Sequence, residues 1–326
     1  MANTQDQEHV RLLTLEADAI FGLEPEPPSS PSSSSPLSSS SSSSQQPQPQ
    51  QPLPSHHILR EPSSLHALLA WSSRGVITAL SRPLTAQRDA DPDSIVARAA
   101  DAVAGLARFR LHARSGGGGS GHGLAVAAPP ACLVHLQDAL GLPGHAVAGG
   151  PTWIVPASMR VGGGGGGGGS NADAYGILPP GVRIVTSARV EDRALVARLP
   201  RPESWREAEW AALVEAAGAA TAPWAMAVHE AGGGGGGEVV SVCHTSARNA
   251  HAVEAGVWTR ADWRGRRLAP RTVAAWAATY PPDTTTTTTT EMTLFYSTSK
   301  ENTASQAVAQ RLGLLPFGYM WKLMVV

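Results

Sequence analysis

Three arginines and a glycine stand together in Trp263-Arg264-Gly265-Arg266-Arg267-Leu268-Ala269. This segment joins a strand-like run, 252–259, to an amphipathic stretch, 268–280. Glycine permits close backbone approach, a helix start presents unpaired N–H groups, and the arginines add positive charge, a combination suited to a pyrophosphate. A solvated, arginine-rich helix terminus has the same composition, so the turn alone does not choose. The other glycine-rich places exclude themselves. The run 116–119 is not followed by Gly-Lys-Ser/Thr, and Gly121-His122-Gly123 lacks the third glycine of a dinucleotide turn. Cys132 and Cys243 are the only cysteines, so neither a disulfide framework nor a cysteine-based zinc site is expected. Cys243 reads as a small buried hydrophobe. His56, His57, His112, His122, His135 and His145 show no familiar ligand spacing, and no metal is expected. His244 and His251 flank the arginine segment's strand; each reads as structural or exposed, and either could titrate near neutrality.

The elements that must position this turn follow from periodicity. Runs 224–229 and 238–244 read as strands joined across the glycine run 232–237, and 252–259 as a third strand. The helix at 268–280 carries Val273, Trp276, Ala277 and Tyr280 on one face, with Pro270 in its first turn, where a missing N–H does no harm. Run 294–297 is a fourth strand. Segment 303–312 is a second helix capped by Asn302 or Thr303, with Gln306 completing a capping box, and 317–324 closes the sheet. Upstream, Val10, Leu13, Ala17 and Phe21 recur at helical spacing. Segments 64–71 and 92–108 read as helices, the second capped by Asp91. The runs 123–127, 146–155 and 181–187 read as strands, with helical pieces at 131–140 and at 204–216, the latter capped by Ser204. Trp258, Trp263 and Trp276 read as core and cleft wall, since no basic stripe accompanies them.

Composition bounds the rest. The 326 residues include a Ser/Pro/Gln segment, 23–54, with nothing to bury against about 1–2 kcal/mol of backbone entropy per residue. More than half of the 34 glycines fall in three runs (116–119, 162–169 and 232–237) without a Gly-x-y period, so the chain is neither collagen-like nor wholly disordered. These runs and the threonines at 284–290 read as expanded loops, because doubling a loop costs only about 0.6 kcal/mol. A net charge of −1 gives no global pull toward nucleic acid or anionic membrane. No run approaches a membrane span. Asp6, Glu8, Glu16 and Asp18 make the first 23 residues too acidic for a leader peptide. An intracellular, cytoplasmic protein is expected.

In order, Glu254 to Thr259, the Trp263–Ala269 turn, Tyr296 to Ser299, and Asn302 to Gly313 resemble the GNAT superfamily of acetyl-CoA-dependent acyltransferases. The resemblance covers about 224–321. It implies an α/β (α+β) fold with a GNAT-like mixed central sheet flanked by helices at 201–326. Ahead of it come a short helix (1–22), the disordered segment (23–54) and an N-terminal α/β region (55–200) of no legible chemistry.

Residue by residue, the family's phosphate-binding pattern falls on Arg264, Gly265, Arg266, Arg267, Leu268 and Ala269, whose N–H groups would hold the coenzyme A pyrophosphate. The strand's open edge, at Val257 and Thr259, would run along the pantetheine arm. Asn302 would contact the coenzyme, cap its helix, or do both. Glu254 is the candidate base for the amine, its alternative being an exposed strand carboxylate. Arg267 stands where the pattern has glycine; a left-handed backbone there would make arginine costly, and a helical one would let it add a donor. The tyrosine that protonates the thiolate in many relatives is replaced by Ala309, so the usual general acid is missing. Tyr296 (the catalytic candidate), Tyr319 and Ser299 are nearby substitutes, none at a matching motif position. The implied partners are a coenzyme A thioester and an amine acceptor, and the implied activity is N-acetyl transfer by direct attack. A GNAT-fold coenzyme-binding or regulatory module without turnover is the alternative.

Overall fold

The computed structural model describes residues 4–25, 56–60, 65–106, 128–160, 177–215, 222–230, 237–280 and 292–325. The expected strand at 123–127, the glycine and threonine tracts apart from Gly237, and all but the start of the Ser/Pro/Gln segment lie outside them. In chain order the elements are α1 (Thr4–Phe21), β1 (Leu23–Pro25), β2 (His56–Leu59), β3 (Leu65–Ser72), β4 (Val76–Ser81), α2 (Arg82–Ala90), α3 (Ile95–Gly105), α4 (Ala131–Ala139), β5 (Val147–Ile154), β6 (Val182–Thr186), α5 (Val190–Val196) and α6 (Glu207–Val214). Then follow β7 (Trp224–Glu230), β8 (Gly237–Arg248), β9 (Ala252–Thr259), α7 (Leu268–Ala277), β10 (Thr293–Ser297), α8 (Thr303–Arg311) and β11 (Leu315–Met324).

Among the described residues the strands form one 11-stranded mixed sheet, β1-β2-β4-β3-β11-β5-β10-β9-β8-β7-β6. The mixed α/β architecture with flanking helices agrees with the expected fold class. β9 and β10 run parallel, a pairing that needs a crossover, and α7 supplies it. β5 comes from the first half of the chain yet lies between β10 and β11, antiparallel to both. The sheet is therefore continuous across the two halves.

Helices cover both faces. On one, α1 sets Leu13 and Ala17 against Leu68, Ile77, Phe295 and Met320, and α5 and α6 cover Trp224, Met226 and Val242. On the other, α7 packs Val273, Trp276 and Ala277 against Val253, Leu294, Tyr296 and Trp153, while α3 and α4 cover Leu69, Leu80 and Trp321. A fully buried Trp276 is worth about 1.5–3 kcal/mol or more in transfer terms, enough to fix which face of α7 turns inward.

Several local expectations are corrected. The stretch 64–71 is strand β3, not a helix: Leu65, Leu68 and Leu69 mimic helical spacing because a central strand is buried on both faces. Leu23–Pro25, grouped by composition with the linker, pair with β2 as a strand. The cap of α3 is Ser94, whose hydroxyl accepts from Ala97 N–H at 3.0 Å, rather than Asp91. α6 starts after Arg206 without a side-chain cap, so Ser204 does not cap it. Asn302 caps α8, its side chain accepting from Ser305 N–H at 3.0 Å. Gln306 instead binds the Ser299 and Lys300 carbonyls.

Candidate active site

The site begins where β9 and β10 part. Their register runs only from Thr293↔Ala252 to Phe295↔Glu254. β9 then continues to Thr259 and leaves its edge toward β10 without a registered partner. The next amide on β10, Ser297 N–H, is taken by the Glu254 side chain: Oε1 accepts it at 2.6 Å and accepts the Ser297 hydroxyl at 2.8 Å. Glu254 thus closes the root of the splay.

Above that root a cavity of 390 Å³ opens between β9, the arginine turn and α8. Val257, Thr259, Arg264, Gly265, Arg267, Leu268, Ala269, Tyr296 and Asn302 all line it. The turn has the backbone the resemblance raised as a question. Gly265 sits at φ +75° and Arg267 at φ +60°, the only positive φ outside glycine among the described residues. α7 begins immediately after Arg267 and has no acid in its first turn, so the positive end of its dipole faces the cavity unopposed. A side chain at Gly265 would meet nothing within 4 Å, so the glycine serves the backbone angle rather than close packing. Arg264 Nε donates to Thr259 O at 3.3 Å, tying the turn to the strand end.

Two of the expected residues lie apart from the cavity wall. The Arg266 guanidinium stacks 4.5 Å from the Trp263 ring centroid and donates to Asp262 O at 3.3 Å. Glu254 lies beneath the splay and is 6% exposed, covered by α1. Burial pushes its carboxyl up to about 7, against the opposing pull of the Ser297 hydrogen bonds. It is not an exposed strand carboxylate.

Tyr296 reaches the cavity from β10, its hydroxyl 2.5 Å from Ser305 Oγ. Burial pushes its pKa well up and keeps it protonated. Ala309 is fully buried in the core under α8, so the position of the family's usual tyrosine points at the sheet. The sequence reasoning missed Ser305, Ser297 and Arg311; only the Asn302 cap register, which makes Ser305 the capped residue, could have signalled the first.

His244 lies over Gly256, where an added Cβ would come 2.6 Å from its Nε2. Its ring meets Trp205 edge-on at 5.3 Å, and burial holds its pKa below the usual value, so it is a neutral ring. His251 is exposed. Cys243 is fully buried and its thiol is pushed up by burial. No group of three or more metal-ligating side chains occurs among the described residues. No helix among them is long and apolar enough to cross a membrane. A second cavity, 570 Å³, shares Trp258, Thr259 and Arg264 with the first and is walled by Pro200–Ser204, Glu238 and Asp262.

The family model for the acetyltransferase (GNAT) domain matches residues 184–315, the span that holds the splay, the arginine turn and Tyr296. No curated protein matches the chain. Among solved structures, it is similar to a GCN5-related N-acetyltransferase-like protein from Streptococcus suis (14% identity, 58% of this chain and 67% of that one, TM-score 0.36). It is also similar to a tandem GNAT protein from the clavulanic acid biosynthesis pathway (15% identity, 63% of this chain and 61% of that one, TM-score 0.35). A GCN5-related N-acetyltransferase from Kribbella flavida follows (13% identity, 59% and 64%, TM-score 0.31). The chain thus spans about two thirds or less of the length of these structures. The family model thus covers the splayed strands and the arginine turn together, and residues 184–315 of this chain carry the match to the GNAT acetyltransferase domain.

Proposed function

We propose that the chain is an N-acetyltransferase that moves the acetyl group of acetyl-CoA directly onto an amine acceptor. The observation that carries this reading is the 390 Å³ cavity at the β9–β10 splay, with a left-handed arginine turn and a helix N-terminus at one end and a phenol at its wall. The N–H groups at the start of α7, with Arg264 and Arg267, suit the pyrophosphate. Val257 and the Thr259 N–H offer strand-edge groups to the pantetheine amides, the Thr259 carbonyl being held by Arg264. Asn302 Oδ1 is committed to its cap, so its contact with the coenzyme falls to Nδ2. Arg266, held on Trp263, contributes charge rather than contact.

The acceptor nitrogen attacks the thioester carbonyl carbon; the C–N bond forms and the C–S bond breaks. The amine's proton passes through the Ser297 hydroxyl to Glu254, whose pKa of about 7 suits a base at neutral pH. The departing thiolate takes the Tyr296 phenolic proton, which is replaced along Ser305 Oγ. The acceptor enters from the cytoplasm or another aqueous space as a free amine; no nucleic-acid or membrane surface is required.

Calorimetric titration of acetyl-CoA tests the reading. Wild type should bind and Arg264→Glu should bind at least about ten-fold more weakly, a loss of about 1.4 kcal/mol; no heat for wild type at millimolar coenzyme overturns it. Ala309 favours one rival, a coenzyme-binding module without turnover. An amine panel separates the two: acetylation lost by about 10²–10⁴-fold in Glu254→Gln supports the enzyme, whereas coenzyme stabilisation without product on any amine supports the module.

A further inference from the structure

The N-terminal helix brings a second carboxyl to Glu254. Glu16 sits on the buried face of α1 between Leu13 and Ala17 and is fully buried. Its Oε2 accepts the Thr152 hydroxyl at 3.2 Å. Thr152 on β5 and Ser297 on β10 are register partners, so their side chains stand side by side on the face that α1 covers, with Cβ atoms about 4.5–5.5 Å apart. One hydroxyl holds Glu16 and the other holds Glu254. Each carboxyl then has one buried oxygen, Glu16 Oε1 and Glu254 Oε2, with no hydrogen-bond partner. Two bare carboxylate oxygens cannot persist together in such a place, whereas one proton between them satisfies both.

We propose that Glu16 is a positioning residue for Glu254: the two carboxyls share one proton, so that α1 supplies the neutral half of an acid–base pair whose other half is the base of the acetyl transfer. The last clause rests on the function proposed above; the sharing of the proton does not. Glu16 keeps the proton, because burial and then the nearby Glu254 charge push its pKa far up. Glu254 ionises first and receives the hydrogen bond. The other groups that feel Glu254 are Cys243 on β8 and Tyr296 on β10, both neutral. The remaining charges of α1 are engaged elsewhere: Glu8 with Arg11, His9 with Ser72, Asp6 with Arg74, and Asp18 with Asn249. Once Glu254 accepts a proton from the acceptor, the pair is doubly protonated; loss of one proton to solvent restores it.

The test follows carboxyl protonation in the full chain, by glutamate-labelled infrared or carbon NMR titration, and needs no turnover. Wild type should keep one protonated buried carboxyl through neutral pH and release two protons in separate steps. Glu16→Gln should abolish the later step and keep the earlier one, and Glu254→Gln should bring the Glu16 step down. Two independent titrations, each indifferent to replacement of the other residue, overturn the proposal. With an acceptor in hand, Glu16→Gln, which still donates, should keep kcat within about three-fold. Glu16→Leu should move the acidic limb of the pH–rate profile upward and cut kcat about ten-fold with the coenzyme KM unchanged. Should Glu16→Leu fail to fold, Thr152→Val, which frees the anchor but fills the same space, should move the limb the same way. An unmoved limb in a folded variant overturns the proposal. Titration steps as expected without any acetyl product leave the shared proton standing and remove only the assigned reaction.

Discussion

Arg267 shows how a single residue can be strained and useful at once. Its left-handed backbone costs an L-residue about 1–2 kcal/mol, and the turn that leads into α7 is made with it. Arg267→Gly relieves that strain but adds about 0.5–1 kcal/mol of chain entropy to be lost on folding. Urea denaturation should therefore find it as stable as wild type or up to about 1 kcal/mol more stable. Coenzyme affinity should fall at the same time, because a charged donor at the cavity wall is gone. Arg267→Val should be less stable by at least about 1 kcal/mol, since branching at Cβ worsens the same clash. Equal stability for the valine variant would mean that the turn has another backbone. The sequence named Arg267 as the departure from the pattern and could not choose between the two conformations. That choice depends on where β9 ends and α7 begins.

At the scale of elements, the placement of α8 depends on a strand far away in sequence. The chain 298–300 leaving β10 crosses directly over β5: Thr298 N–H binds Pro151 O at 3.2 Å and Lys300 N–H binds Gly149 O at 2.9 Å. A Cβ on Gly150 would lie 2.2 Å from Thr298 O and 2.6 Å from Lys300 N, both backbone atoms with nowhere to go. Gly150→Ala should therefore displace the segment that leads to the Asn302 cap. The expected result is about 1–3 kcal/mol of lost stability, with weaker coenzyme binding from the shifted α8 wall. Gly144→Ala, where an added Cβ meets nothing within 4 Å, is the control and should change neither. Thermal unfolding and coenzyme titration of the two variants check this. The strand at 147–154 was legible from its own residues; that its two glycines are the seat of the segment 298–300 from the other half of the chain was not.

Over the whole molecule, the buried carboxyl pair sets a pH dependence. Glu254 and Glu16 both have folded pKa values raised above their unfolded values. The folded state therefore holds protons more tightly, and its stability is full at acid pH below the unfolded pKa. It is lost as pH climbs toward about 7 through Glu254, and further above that through Glu16. Between about pH 5 and 7 the pair should reduce the folding constant by up to about a hundred-fold per pH unit, about ten-fold from each carboxyl. Glu254→Gln should flatten this slope and be the more stable protein above neutrality. Denaturation across that range checks the sign; a wild-type stability that rises from pH 5 to 7 in step with Glu254→Gln would contradict it.

The sequence by itself determined what is local. The strand–turn–helix–strand–helix order from 252 to 311, the inward face of α7, the capped start of α8 and the arginine turn all depend on residues within a few positions of each other, where periodicity and capping chemistry act. Only the tertiary structure decided what depends on distant chain. Glu16 reads as one more solvated acid in a polar helix, yet packing of α1 on the sheet takes it out of water and sets it beside Glu254. β3 reads as a helix because burial on both faces erases alternation, and that burial exists only when α1 and the α3–α4 pair cover it from either side. β5 completes the sheet between β10 and β11 because hydrogen bonding along a strand edge takes no account of separation along the chain. Glu254, Tyr296 and the arginine turn could be named from the sequence; their burial and their partners, Glu16 and Ser297 among them, are properties of the assembled sheet.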